Sequence, residues 1–183
     1  MMREKISGDF WVFGYGSLLW NPGFRYVESI QAALSGYARS FCMRSIHHRG
    51  SEQAPGLVLA LDEQEGAKCD GVAFRVHPED QAATLAALRE RELVSSAYLE
   101  RWLPLSLKDG RVIKAVVYVI DPDHDQYCDL PLSEQAQIIA RAVGGRGPNT
   151  EYLFNTADHL TEIGVEDAEL TWLASEVRRI TGP

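Results

Sequence analysis

Three cysteines in 183 residues, Cys42, Cys69 and Cys128, are too few and too widely spaced for a disulfide framework. None pairs as CxxC. The five histidines, His47, His48, His77, His124 and His159, show neither HExxH nor HxxxH spacing, so no metal site is expected. Long apolar runs are also missing. No stretch reads as a membrane span, and no N-terminal apolar segment reads as a signal peptide, which makes the cytoplasm the expected compartment. Positive charge is scarce: 18 lysines and arginines face 26 acidic residues, for a formal net charge of −8. That balance disfavours nucleic acid and anionic membranes as partners. Neither GxxxxGK[ST] nor GxGxxG occurs, so the familiar phosphate loops are excluded. Repeats and low-complexity tracts are absent as well. The length suits a single domain over residues 1–183 with a sizeable core, and protein partners are not legible.

What is present begins with WVFGYGSLLWNPGF, Trp11 to Phe24. Trp11, Val12 and Phe13 read as the end of a strand, because aromatic and β-branched residues fit a half-buried pleat. Gly14, Tyr15, Gly16 and Ser17 follow, where glycine permits φ > 0 and a close approach of backbone. Converging amides in such a turn form a concavity for an anion or oxyanion. The same residues also suit a tight turn between two core strands.

Short strands are expected near 10–13, 37–46, 56–61, 70–76, 98–106 and 112–120. One helix interrupts them, from Glu79 to about Val94 behind Pro78. The last fifty or so residues read as helices: Ser133 caps one to about Ala142, Asn149 or Thr150 starts another ending near Gly164, and a third runs from about Glu166 to Ile180. Leu170, Leu173, Ala174 and Val177 give the third an apolar stripe. Strands followed by helices indicate an α+β fold.

On a wheel of about 100° per residue, Glu92 falls between Leu85 and Leu88 on the apolar stripe of the first helix, while Glu90 and Arg91 point to solvent. A carboxylate there is costly to ionise, which favours a general base. A buried glutamate paired with an arginine, Arg89 for instance, fits the same pattern. Arg39, Arg44, His47, His48 and Arg49 form one basic neighbourhood, either a solvated strand and loop or a site for an anion. Ser17 lacks a GxSxG elbow and reads as a binding group, not a nucleophile. Asn149 reads as a helix cap.

The turn WVFGYGSLLWNPGF resembles the YGSL signature of the ChaC-like γ-glutamylcyclotransferases. The likeness continues through GYARSFCMRSIHHRG (36–50), PGLVLALD (55–62), GVAFRV (71–76), RELVSSAYLERW (91–102) and GPNTEYLFNT with the following HLTEIG (147–164), nearly the whole chain in order. Two loops depart from the bacterial pattern: HRGSEQ stands for HRGTPE at 48–53, and Glu100 stands where YxPRW has proline. The resemblance implies a small mixed β-barrel flanked by helices, with a cavity at its mouth. It implies cleavage of glutathione to 5-oxoproline and cysteinylglycine without a cofactor. Glu92 takes the place of the catalytic glutamate. Val12, Phe13, Gly14, Tyr15, Gly16, Ser17 and Leu18 would bind substrate, with Tyr98 six residues after Glu92. Arg44 is the candidate reader of the glycine carboxylate. Related activities on γ-glutamyl amines or γ-glutamyl amino acids, or a non-catalytic regulator on the same fold, are the alternatives.

Overall fold

The structure, a computed structural model, describes residues 8–93 and 97–182. Its strands are β1 (Trp11–Gly14), β2 (Tyr26–Ser45), β3 (Gly56–Val76), β4 (Tyr98–Leu107) and β5 (Val112–Ile120). They close into a barrel in the order β1-β3-β2-β4-β5. β1 is buried along its whole length, as its unbroken apolar run requires. It pairs antiparallel with β3, from Trp11 opposite Arg75 to Gly14 opposite Val72, and parallel with β5 at Trp11–Ala115 and Val12–Val116. The sheet is therefore mixed, and the α+β barrel with helices is the architecture found.

Two strands are longer than expected. β2 begins at Tyr26, eleven residues before 37, and the segments 56–61 and 70–76 are one strand. The polar run Asp62-Glu-Gln-Glu-Gly between them imitates a loop, yet it is the solvent-facing middle of β3, where Gly66 sits at φ +82°. Pairing with a neighbouring strand satisfies the backbone there whatever the side chains' polarity.

Close contacts group the chain into two compact units. One takes the described residues up to Ala38 and those of Glu63–Val119; the other takes Arg39–Asp62 and the described residues from Ile120 onward.

In the first unit, β1 leads into the single turn α1 (Ser17–Trp20), and a 3-10 turn (Pro78–Asp80) leads into α2 (Gln81–Glu92). The expected helix end at Val94 lies outside the described residues. Leu85 and Leu88 are 5% and 3% exposed and pack with Phe10, Val12, Val116 and Tyr118. Each such leucine contributes about 1.5–3 kcal/mol on burial, which pins the middle of α2 to the barrel. Within this unit, glycine matters most at Gly71. A Cβ there would lie 2.4 Å from the Gly14 carbonyl oxygen and 2.9 Å from Phe13 Cζ. Gly71→Ala is therefore expected to force the β1 turn and β3 apart at a cost of about 1–3 kcal/mol, measured as a lower denaturant midpoint at unchanged slope.

The second unit holds α3 (Leu132–Arg141), the two-residue strands β6 (Val143–Gly144) and β7 (Gly147–Pro148), α4 (Asn149–Glu162) and α5 (Ala168–Thr181). α3 starts behind Pro131, so Ser133 lies inside the helix and is not its cap. The β6–β7 hairpin is an addition to the expected run of helices. The α5 stripe of Leu170, Leu173, Ala174 and Val177 is buried as its spacing required. Asp167 caps α5 through Oδ1 on the Leu170 amide, while its Oδ2 accepts from Arg39 Nε at 2.9 Å. Asn149 is wholly buried and does not cap α4 as expected; it opens the helix. Its amide accepts from Leu57 N and donates to Leu57 O, both at 2.8 Å. Tyr152, one turn on, accepts from Leu59 N with its hydroxyl. Residues three apart on a helix share a face, and residues two apart on a strand point their amides the same way, so α4 covers this length of β3 as a neighbouring strand would. Among the described residues, no helix is long and apolar enough to cross a membrane.

Candidate active site

The turn after β1 is built from buried residues. Val12, Phe13, Gly14, Tyr15, Gly16 and Leu18 are buried and Ser17 is half-buried. The expectation of φ > 0 is not met: Gly16 has φ −140°, and Gly14 is not among the glycines of positive φ. Close approach explains Gly14 instead, since a Cβ there would meet Phe74 Cε2 at 2.9 Å. The Tyr15 hydroxyl donates to the Tyr118 carbonyl at 2.7 Å and fastens the turn to β5. α1 then starts at Ser17, and the first amides of a helix have no acceptor within it.

Glu92 is the last residue of α2, its side chain 15% exposed. Burial of Leu85 and Leu88 and exposure of Glu90 agree with the wheel. Arg91 does not. Its guanidinium is 24% exposed and turns back toward α1, donating from Nη2 to Ser17 Oγ and from Nη1 to Asn21 O, each at 2.9 Å. Its Nε lies 3.5 Å from Glu92 Oε1. A long side chain at the end of a helix reaches a neighbouring element whatever its wheel angle, and Arg91 thus joins Ser17 to Glu92.

A second group adjoins the first. Arg89 forks onto Glu100 of β4, Nε to Oε1 and Nη2 to Oε2, both 2.9 Å. The Tyr118 hydroxyl donates to Glu100 Oε1 at 3.0 Å. The Arg89 guanidinium, helped by Tyr118 and Trp102 and opposed by burial, holds the Glu100 carboxyl below the usual carboxylate range. Burial first, then the charges of Glu100 and Glu92, pushes the Tyr118 phenol well up, so it stays a donor. Tyr98 is half-buried and packs on the cluster of Phe10, Leu85 and Leu88.

The basic neighbourhood of Arg39 to Arg49 lies in the second unit and is not one solvated run. Arg39 is buried against Asp167, and Arg49 is buried with Nη1 on the Pro148 carbonyl and its guanidinium over Tyr152. His47 and His48 are exposed. Arg44 is half-buried, its backbone held by Gln126 on both sides, while its neighbour Met43 is buried. No carboxylate among the described residues forms an ion pair with Arg44. Cys42, Cys69 and Cys128 are buried and form no disulfide, and burial pushes the Cys42 thiol up, which makes it a poor nucleophile. Among the described residues, no cluster of three or more His, Cys, Asp or Glu could hold a metal ion.

Sequence reasoning did not reach the roles of Arg91, Glu100 and Tyr118 here. An arginine directly before the one stripe carboxylate was the available signal for Arg91, and the adjacent charges Glu100 and Arg101 within the strand start YLERW were the signal for Glu100.

The protein-family model described as ChaC-like protein matches residues 10–180. The glutathione-specific γ-glutamylcyclotransferase of Escherichia coli (strain K12) is 39% identical over 175 residues, covering 95% of this chain and 75% of that protein. γ-Glutamylcyclotransferase 2-3 of Arabidopsis thaliana is 35% identical over 177 residues, covering 93% and 89%. Among solved structures, a yeast γ-glutamyl cyclotransferase specific to glutathione shares the fold with a TM-score of 0.84 at 24% identity, covering 94% of this chain and 97% of that one. A matched model over almost the whole length, together with relatives well above 30% identity, places the chain in the ChaC-like family.

Proposed function

We propose that this chain is a glutathione-specific γ-glutamylcyclotransferase, with residues 1–183 working as a single domain in the cytoplasm. The observation that carries the reading is a half-buried carboxylate, Glu92, joined through Arg91 to Ser17 at the start of α1. Relatives named for this activity support the choice of substrate.

The substrate supplies its own nucleophile. The α-amino nitrogen of the γ-glutamyl residue attacks the γ-carbonyl carbon, a C–N bond closes a five-membered lactam, and the old amide C–N bond breaks. The attacking nitrogen starts as an ammonium and ends as a lactam N–H, so it sheds two protons, and the departing amine gains two. Glu92 carries them from one nitrogen to the other, as a general base and then as a general acid. No acyl-enzyme forms and no cofactor enters. Amides of the segment Gly14 to Leu18, with the Ser17 hydroxyl, receive the α-carboxylate and the developing oxyanion. Val12, Phe13 and Tyr98 wall the bound chain, and holding it curled for ring closure adds a proximity advantage.

Incubating the purified protein with glutathione tests the reading. Mass spectrometry should find 5-oxoproline and cysteinylglycine in equal amounts. No release from glutathione, with turnover of γ-glutamyl amines, would replace the substrate; no turnover of any γ-glutamyl compound would leave a binding protein.

Arg44 is proposed to read the glycine carboxylate. A charge-assisted hydrogen bond contributes about 1.5–3 kcal/mol in a sheltered place, so Arg44→Met is expected to raise KM for glutathione about ten- to a hundredfold with little change in kcat, the pattern of lost uniform binding. Substrates without that carboxylate should be unaffected. Equal losses on both kinds of substrate would assign Arg44 a structural role.

A further inference from the structure

We propose that Glu100 is a positioning residue for Glu92: its carboxylate takes up the Arg89 guanidinium and the Tyr118 hydroxyl, and so leaves Glu92 facing one unneutralised arginine instead of two. The proposal rests on Glu92 as the proton carrier, and its test separates the two ideas.

Arg89 stands three residues before Glu92 on α2, on the neighbouring turn of the same face. Arg91 is already beside Glu92 at 3.5 Å. Two guanidinium charges on one helical turn would stabilise the ionised form of Glu92 and make it a weak base. Glu100 answers one of them. Its fork onto Arg89, two bonds of 2.9 Å, is the bidentate arrangement that fixes a guanidinium in plane as well as neutralising it. Glu100 is only 15% exposed while Arg89 is 41% exposed, so solvent screens part of the Arg89 charge and the fork onto Glu100 answers the rest.

The same carboxylate oxygen that takes Arg89 Nε also takes the Tyr118 hydroxyl at 3.0 Å. Tyr118 is 3% exposed, and its backbone carbonyl receives the Tyr15 hydroxyl. Hydrogen bonds thus run from α2 through Glu100 on β4 and Tyr118 on β5 to the turn after β1. The phenol is within electrostatic reach of Glu92, Glu100 and Arg89 together, which puts the three charges in one neighbourhood. The charged and titratable groups around Glu92 include, among the described residues, Arg89 and Arg91 from its own helix, Glu100 from β4 and Tyr118 from β5, with Ser17 of α1 attached through Arg91.

Two readouts on the intact protein test the proposal: an NMR titration of the Glu92 side-chain carboxyl carbon in the resting enzyme, and the pH profile of kcat/KM for glutathione. The Glu92 resonance is identified by its loss in Glu92→Gln. Glu100→Gln keeps shape and removes a negative charge, so the Glu92 midpoint and the acid limb of the profile should both fall by about 0.5–1 pH unit. Arg89→Gln should move both upward, and the double variant should return them close to the wild type. Glu100→Asp, which keeps the charge, should stay near the wild-type midpoint. If Glu100→Gln fails to fold, the upward shift in Arg89→Gln carries the test alone. Glu92 midpoints that stay put in the single variants, or move in the same direction in both, overturn the proposal. Oppositely moved midpoints with an unmoved acid limb overturn it by another route, since Glu92 then does not carry the proton.

Discussion

Glu92→Gln is expected to lower turnover of glutathione by about 10²- to 10⁴-fold while the protein still folds and binds substrate. That is the usual contribution of a positioned acid or base, and it corresponds to about 3–5.5 kcal/mol of barrier. Glutamine matches the size of the side chain and keeps an oxygen 3.5 Å from Arg91 Nε; what it lacks is the ability to accept and return a proton. Glu90→Gln is the control. Glu90 is exposed on the other side of α2, and its removal should leave kcat within about twofold, because exposed charges contribute little. Steady-state kinetics at saturating glutathione, with substrate binding followed by calorimetry, separates lost chemistry from lost affinity. If Glu90→Gln were the inactive variant and Glu92→Gln the active one, the assignment of the base would fail.

Asn149→Ala is expected to carry the largest cost in stability, about 2–5 kcal/mol. Asn149 is wholly buried, and its amide group answers both the N–H and the C=O of Leu57. Alanine would leave those two backbone groups buried without partners, and each such group costs about 1–3 kcal/mol. Leu57 and Asn149 are both fully buried, so solvent does not reach the two groups to make up the loss. Chemical denaturation should show a lower midpoint at an unchanged slope. Asn149→Asp should also be destabilised, because a carboxylate accepts from Leu57 N but cannot donate to Leu57 O. A loss under 1 kcal/mol in both variants would mean that β3 finds another partner for Leu57.

Much of the barrel was legible because its signals are local. The run Trp11–Phe13 is apolar at every position and proved buried at every position. The stripe of α5 and the placement of Leu85, Leu88 and Glu90 on α2 follow from a period of 3.6 residues, which any helix must obey. The motif string from Trp11 to Gly164 pointed to the ChaC-like family, and the match over residues 10–180 agrees. The extent of β2 and β3 was not legible. Asp62 to Gly66 has the composition of a turn, and whether such a segment is loop or strand depends on the chain that comes alongside.

Side-chain pairing divides along the same line. Sequence alone determined that Glu92 sits on an apolar stripe, that Ser17 lies in a glycine-containing turn, and that helices follow the strands, since each of these is a property of neighbours along the chain. Only the tertiary structure decided what those groups touch. Asn149 meets a backbone 92 residues away, Arg91 meets a serine 74 residues away, and Tyr118 meets Glu100 across two strands. A helical wheel assigns angles around one axis and contains no second element. Long side chains such as Arg91 and Glu100 reach well beyond the radius at which that angle matters, so their partners are set by the packing of elements and not by the period of any one of them.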